Sequence, residues 1–130
     1  MTCLETDFLI ELSRGESKAH ARLKELRKAG AELTVTPVSI AEFMFGAYKF
    51  GSEQKLKESE AAMKTLAVLE FDFYAAKEAG KLFCELEKAG SKIGDMDTLT
   101  AAVALRHGEK IVTRNAKHFG KVKGLEILKW

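Results

Sequence analysis

The chain alternates short β-branched or apolar runs with longer stretches of helical periodicity, and glycines mark the junctions. Thr2–Thr6 reads as a strand, followed by a helix that Asp7 opens and Gly15 closes. Residues 16–29 place Ala19, Leu23 and Leu26 on one helical face, and Gly30 stops them. Leu33–Thr36 is a second strand, ended by Pro37. A third helix starts near Ser39 and is apolar nearly all round (Ile40, Phe43, Met44, Phe45, Ala47, Tyr48), the pattern of a buried helix. Residues 53–66 form a charged amphipathic helix and residues 68–71 a strand. A long helix then spans 73–89, with Ala76, Ala79, Leu82, Phe83 and Leu86 turned inward. Asp95 or Asp97 opens an Ala-rich helix that runs to about His107. A strand at 110–113, a short helix or turn at 115–119 and a strand at 125–128 complete the chain.

Strands that alternate with helices predict an α/β three-layer sandwich with a mainly parallel sheet. The 130 residues fit one domain, 1–130, with a core of its own. In such folds the functional crevice lies outside the carboxyl ends of the strands. Glu5, Asp7, Thr113 and Asn115 all fall at such ends.

Composition narrows the function classes. Formal net charge is +2, from 21 basic and 19 acidic residues, so any nucleic-acid contact must come from a local patch. Hydrophobic content of 46% with a single Pro argues against disorder. Cys3 and Cys84 form no CxxC and lie in apolar patterns, which reads as reduced core residues in the cytoplasm. No apolar run approaches the ~20 residues of a membrane span, and the N-terminus has no basic region of a signal peptide. GxSxG, P-loop and GxGxxG patterns are absent.

Carboxylates and amides at element ends carry the chemistry. Glu5 stands among Cys3 and Leu4 on a strand that should be buried, so it needs a partner or a cation. Asp7 suits an N-cap as well as a place beside a metal. Glu42 follows Ser39 by three, the spacing of a capping box, yet its helix is apolar around it. Asp95 and Asp97 are two residues apart, about 200° around a helix, so only one can face a site. The Ala-rich face selects Asp97 as the inward ligand and leaves Asp95 as cap or support. Asn115 reads as an N-cap or as a group on a metal or its water, with Thr113 beside it. His20 and His107 read as surface residues, and His118, beside Phe119, is a minor candidate for the cleft.

Four stretches in register resemble the PIN domain, and within it the VapC-type toxins of prokaryotic toxin–antitoxin pairs. They are Leu4-Glu5-Thr6-Asp7-Phe8-Leu9-Ile10 with Arg14-Gly15, Val38-Ser39-Ile40-Ala41-Glu42-Phe43 with Gly46-Ala47, Ile93-Gly94-Asp95-Met96-Asp97 through Ala101-Ala102, and Val112-Thr113-Arg114-Asn115 with His118-Phe119. The resemblance implies a Mg²⁺-dependent endoribonuclease, with Mn²⁺ as the alternative ion. Glu5, Glu42 and Asp97 match the family's metal-holding acids and Asn115 its fourth position. Asp7, Asp95 and Thr113 would be auxiliary. The family's first acid is usually Asp and its fourth group often Asp, so Glu5 and Asn115 are departures. Arg14, Lys49, Arg114, Lys117 and Lys121 would meet RNA phosphates, tRNA being a frequent family substrate. The resemblance also implies a VapB-type antitoxin and a homodimer, formed through the third and fourth helices. A PIN-fold binding module without catalysis is the main rival. A phosphoacceptor receiver using Asp72, Thr113 and Lys129, or a plain interaction protein, is a more distant one.

Overall fold

A computed structural model describes all residues 1–130. Its elements run β1 (Thr2–Leu4), α1 (Thr6–Ser13), α2 (Ser17–Lys28), β2 (Leu33–Val35), α3 (Pro37–Phe50), α4 (Glu53–Lys64), β3 (Ala67–Val68), α5 (Phe73–Lys88), α6 (Asp95–Arg106), β4 (Lys110–Val112), α7 (Ala116–Phe119) and β5 (Ile127–Leu128). The sheet order is β3-β2-β1-β4-β5, and every pairing is parallel. The mainly parallel α/β sandwich expected from the sequence is therefore observed. The strands are shorter than expected, because the residues after Leu4, Val35 and Val112 already bend into helix caps or a turn.

Strand periodicity sorts the two faces. Leu4, Val35 and Val112 join Phe8, Leu9, Leu26, Phe43 and Met63 on the α1–α4 side. Ile111 packs with Ala79, Leu82, Leu86, Ala101 and Ala102 on the α5–α6 side. Cys3 lies with Leu69, Ala75 and Val103. In α6 the run Ala101–Ala104 is fully buried, so small side chains let the helix lie close against the sheet. Gly15, Gly30, Gly90 and Gly108, each just past a helix, have φ between 63° and 77°, which is why the sequence could mark those ends.

Three sequence expectations are corrected on packing grounds. Helix α3 is not a buried helix: Ser39 and Phe43 are its only buried residues, while Phe45, Tyr48 and Phe50 are 64%, 71% and 81% exposed. It lies in an outer layer, and its apolar outer face has no partner within the chain. In α5 the buried set is Ala75, Ala79, Leu82 and Leu86; Ala76 and Phe83 point outward. Cys84 is exposed, two residues or about 200° from Leu82, whereas Cys3 is fully buried. No helix is long and apolar enough to cross a membrane.

The chain moves from β1 outward to β2 and β3, then returns to place β4 on the other side of β1. The switch point therefore lies between β1 and β4, and the crevice outside their carboxyl ends is the place for a ligand. Close packing of α6 sets that crevice. Ala102→Leu should overpack the helix against Ile111 and cost about 1–3 kcal/mol, read as a lower midpoint in thermal or urea unfolding monitored by circular dichroism.

Candidate active site

The three acids of the sequence reading arrive at the carboxyl edge of the sheet on three helices. Glu5 is the residue between β1 and α1 and caps that helix, its Oε2 accepting from Asp7 N at 3.2 Å. Glu42 lies in the second turn of α3, and Asp97 in the first turn of α6. Asn115 opens α7 after β4. Glu5 and Asp97 lie at helix N-termini, whose partial positive charge offsets part of the cost of ionising them.

Glu5 is only 4% exposed. Its Oε2 also accepts from Thr113 Oγ1 at 3.2 Å, a bond that ties β1 to the end of β4. The same hydroxyl accepts from Asn115 N at 2.9 Å. Burial pushes the Glu5 carboxyl up to about 8, and the charges of Asp7 and Asp97 push in the same direction. Glu42 is also held above the ordinary carboxylate range, first by burial and then by the charges of Asp97 and Asp7. A hydrogen bond from Thr6 Oγ1 at 2.7 Å acts the other way. Asp97 Oδ2 lies 3.1 Å from Nδ1 of His118.

Several local roles differ from those expected. Glu5, which had no evident capping role in the sequence, is the cap, so Asp7 is an exposed first-turn residue whose charge nevertheless reaches Glu5 and Glu42. Thr36, not Ser39, caps α3, its hydroxyl accepting from Ser39 N at 3.0 Å. The capping box with Glu42 therefore does not exist, and Glu42 is free to face Thr6. Asp95 neither caps α6, which begins at Gly94 without a side-chain cap, nor faces the acids. It lines a surface recess with Phe83, Leu86 and Lys92. Asn115 makes no side-chain cap bond; its backbone is what Thr113 holds. Sequence reasoning overlooked Thr6 and gave His118 too little weight. Nothing in the sequence marks Thr6. For His118 the signal is its place three residues after Asn115, one helical turn on and hence on the same side.

The basic candidates lie apart from one another on the surface, Arg14 and Lys49 at the far ends of α1 and α3 from the acids. Arg14 is exposed at the end of α1, 3.3 Å from Glu11, and lines a groove of about 420 Å³ with Phe43, Phe50 and Lys55. Lys49 lies over the rings of Phe45 and Phe50 at 5.5 and 5.2 Å. Arg114 stacks on Trp130 at 4.1 Å. Lys117 and Lys121 are exposed on and just after α7. Asp72 caps α5 through Ala75 N and pairs with Arg106 at 3.2 Å, and α5 and α6 follow one another with no strand between them. Those facts remove the receiver reading.

The donor set is oxygen-rich and anionic, which suits a hard divalent cation. The charges of Asp7 and Asp97, which raise the proton affinity of Glu5 and Glu42, would be offset by such an ion. No three of the acidic, histidine and cysteine side chains are drawn together at coordinating distance; each acid is engaged by a hydroxyl, amide or imidazole donor of its own. The Glu5 shift fixes the sign of a pH effect. With its carboxyl raised from 4.5 to about 8, the folded protein holds a proton that the unfolded chain releases over that range. Stability of the metal-free protein should therefore fall as pH rises from about 4.5 to about 8. Glu5→Gln should make that slope shallower, as checked by thermal melts in EDTA across the range.

Comparison with known proteins agrees with this architecture. The family model described as PIN domain matches residues 2–125. The tRNA(fMet)-specific endonuclease VapC of Shigella flexneri is 31% identical over 100 residues, 76% of each chain. Ribonuclease VapC1 of Rickettsia felis is 27% identical over 129 residues, 96% of this chain and 92% of that one. Among solved structures, DNA-bound VapBC from Salmonella typhimurium superposes with a TM-score of 0.88 at 26% identity, covering 99% of this chain and 97% of that one.

Proposed function

The chain belongs to the PIN domain family, in its VapC branch, and from that premise we propose that it is a divalent-metal-dependent endoribonuclease, the toxin of a VapBC-type toxin–antitoxin pair. The observation that carries this reading is that Glu5 and Glu42, reaching one strand-end crevice, are both held above the ordinary carboxylate range, by burial first and then by the charges of Asp7 and Asp97. Buried carboxylates beside the charges of Asp7 and Asp97 at a strand-end crevice are a poor arrangement for stability and a good one for a cation. We assign Mg²⁺, with Mn²⁺ as a substitute, to Glu5, Glu42 and Asp97.

When bound, the ion supplies Lewis acidity toward a phosphate and lowers the pKa of an attacking water. The chain's own residues do the rest. Thr113 and the Asp7 amide orient Glu5, Thr6 orients Glu42, and Asn115 offers a neutral amide to a water at the edge of the site. Asp7 adds charge without burial. Arg14, Lys49, Arg114, Lys117 and Lys121 are the candidates to receive RNA phosphates. The relatives named tRNA(fMet)-specific make tRNA the first substrate to offer.

A VapB-type antitoxin, acting in the cytoplasm, would close the acidic crevice with a basic segment. An apolar groove of about 210 Å³ lined by Leu9, Leu12, Leu23, Met63 and Leu66 gives such a partner a hydrophobic seat. The exposed row Phe45, Tyr48 and Phe50 supports a homodimer formed through α3, with residues 1–130 folding as one domain in each copy. A second reading, RNA or partner binding without turnover, is favoured by the buried capping role of Glu5 and by the missing charge at Asn115.

Titration of the wild type and Asp97→Asn with Mg²⁺ and Mn²⁺ by calorimetry, followed by incubation with total tRNA, tests the assignment. The wild type should bind an ion and cleave. Asp97→Asn should lose cleavage to background while its metal-free form melts higher, because one of the repelling charges is gone. Full activity in Asp97→Asn would overturn the site, and saturable ion binding with no cleavage of any RNA would favour the binding module.

A further inference from the structure

Each acid of the crevice has one side-chain donor that fixes it. For Glu5 that donor is the Thr113 hydroxyl, for Glu42 it is the Thr6 hydroxyl, and for Asp97 it is the His118 imidazole. Asp97 has no other side-chain partner, and α6 begins at Gly94, which contributes no side-chain cap. Without His118 nothing recorded in the structure would select its rotamer.

We propose that His118 is a positioning residue: its Nδ1–H holds Oδ2 of Asp97 and so sets the direction in which the carboxylate meets a divalent cation. An ionised carboxylate only accepts hydrogen bonds, so Nδ1 must be the protonated nitrogen in this contact. The contact spans 21 residues of sequence at 3.1 Å, with side chains 41% and 22% exposed, so it lies at the mouth of the crevice.

The imidazole is not a loose surface group. Phe119, its neighbour, is fully buried. His118 N donates to Asn115 O at 3.1 Å, and Asn115 N donates to Thr113 Oγ1 at 2.9 Å. That hydroxyl donates in turn to Glu5. A continuous path of hydrogen bonds and one helical turn thus runs from Glu5 through Thr113, Asn115 and His118 to Asp97. It locks the relative placement of two acids that reach the site on different helices. Groups that orient metal-binding carboxylates typically matter by about 10–100-fold in metal affinity.

This inference rests on the metal-nuclease reading, and its test separates the two. Wild type, His118→Ala and His118→Asn are compared by calorimetric titration with Mn²⁺ and Mg²⁺ and by kcat and KM on an RNA the wild type cleaves. An asparagine amide can donate from about the position of Nδ1, so His118→Asn should keep near-wild-type ion affinity. His118→Ala should bind the ion about 10-fold or more weakly, with the loss in kcat and RNA KM unchanged. Unaltered ion affinity in a folded His118→Ala would overturn the proposal, as would a raised KM with intact ion binding, which would make His118 an RNA contact. If the alanine variant does not fold, an asparagine variant that has lost ion affinity would equally overturn it. Wild type that binds neither ion would overturn the metal reading and this one with it.

Discussion

Carboxylate crowding at one edge of the sheet is the constraint on which this structure turns. Glu5, Glu42 and Asp97, with Asp7 nearby, bring like charges to a crevice where one of them is almost fully buried. A chain cannot do this without compensation. Three devices supply it. Helices α1, α3 and α6 all direct their amino ends to the carboxyl edge of the parallel sheet, so Glu5 and Asp97, at the starts of α1 and α6, meet a partial positive charge. Hydroxyl and amide donors from Thr6, Thr113 and the Asp7 backbone engage the oxygens. The remainder is met by proton uptake, which is why Glu5 titrates near 8. All three follow from topology: a parallel sheet with a switch point gathers helix starts and strand ends at one place.

Much of this was legible before any coordinates. Glycines that terminate helices are readable because positive φ admits little else, and the Ala-rich run of α6 announces close packing. The preference for Asp97 over Asp95 came from the helical angle together with the Ala-rich face, and the structure turns Asp95 toward Phe83 and Lys92. What failed was local and short-ranged. Thr36 and Ser39 both satisfy the rules for a cap, and Pro37, suited to the first helical position, favours Thr36. In α5, Ala75 and Ala76 differ by 100° of rotation, which small side chains do not encode. Helix α3 misled for a different reason: periodicity reports apolar surface, not whether that surface is covered by the same chain. Thr6 was out of reach because a hydrogen bond spanning 36 residues leaves no pattern in sequence, and His118 was legible as a cleft residue but not as the partner of Asp97, 21 residues away.

The glutamate at position 5 ties these points together. An aspartate there would be one methylene shorter. The longer side chain lets a single carboxylate oxygen serve Asp7 N and Thr113 Oγ1 at once, joining α1 to the end of β4. That arrangement draws the carboxyl into the interior, and desolvation is the largest cause of its raised proton affinity. Proton and divalent cation are then alternative compensators of the same buried charge. A proton satisfies Glu5 alone; a cation held as proposed by Glu5, Glu42 and Asp97 would satisfy all three and relieve the repulsion that the proton leaves. The bond path from Glu5 through Thr113 and α7 to His118 gives Glu5 and Asp97 a rigid frame.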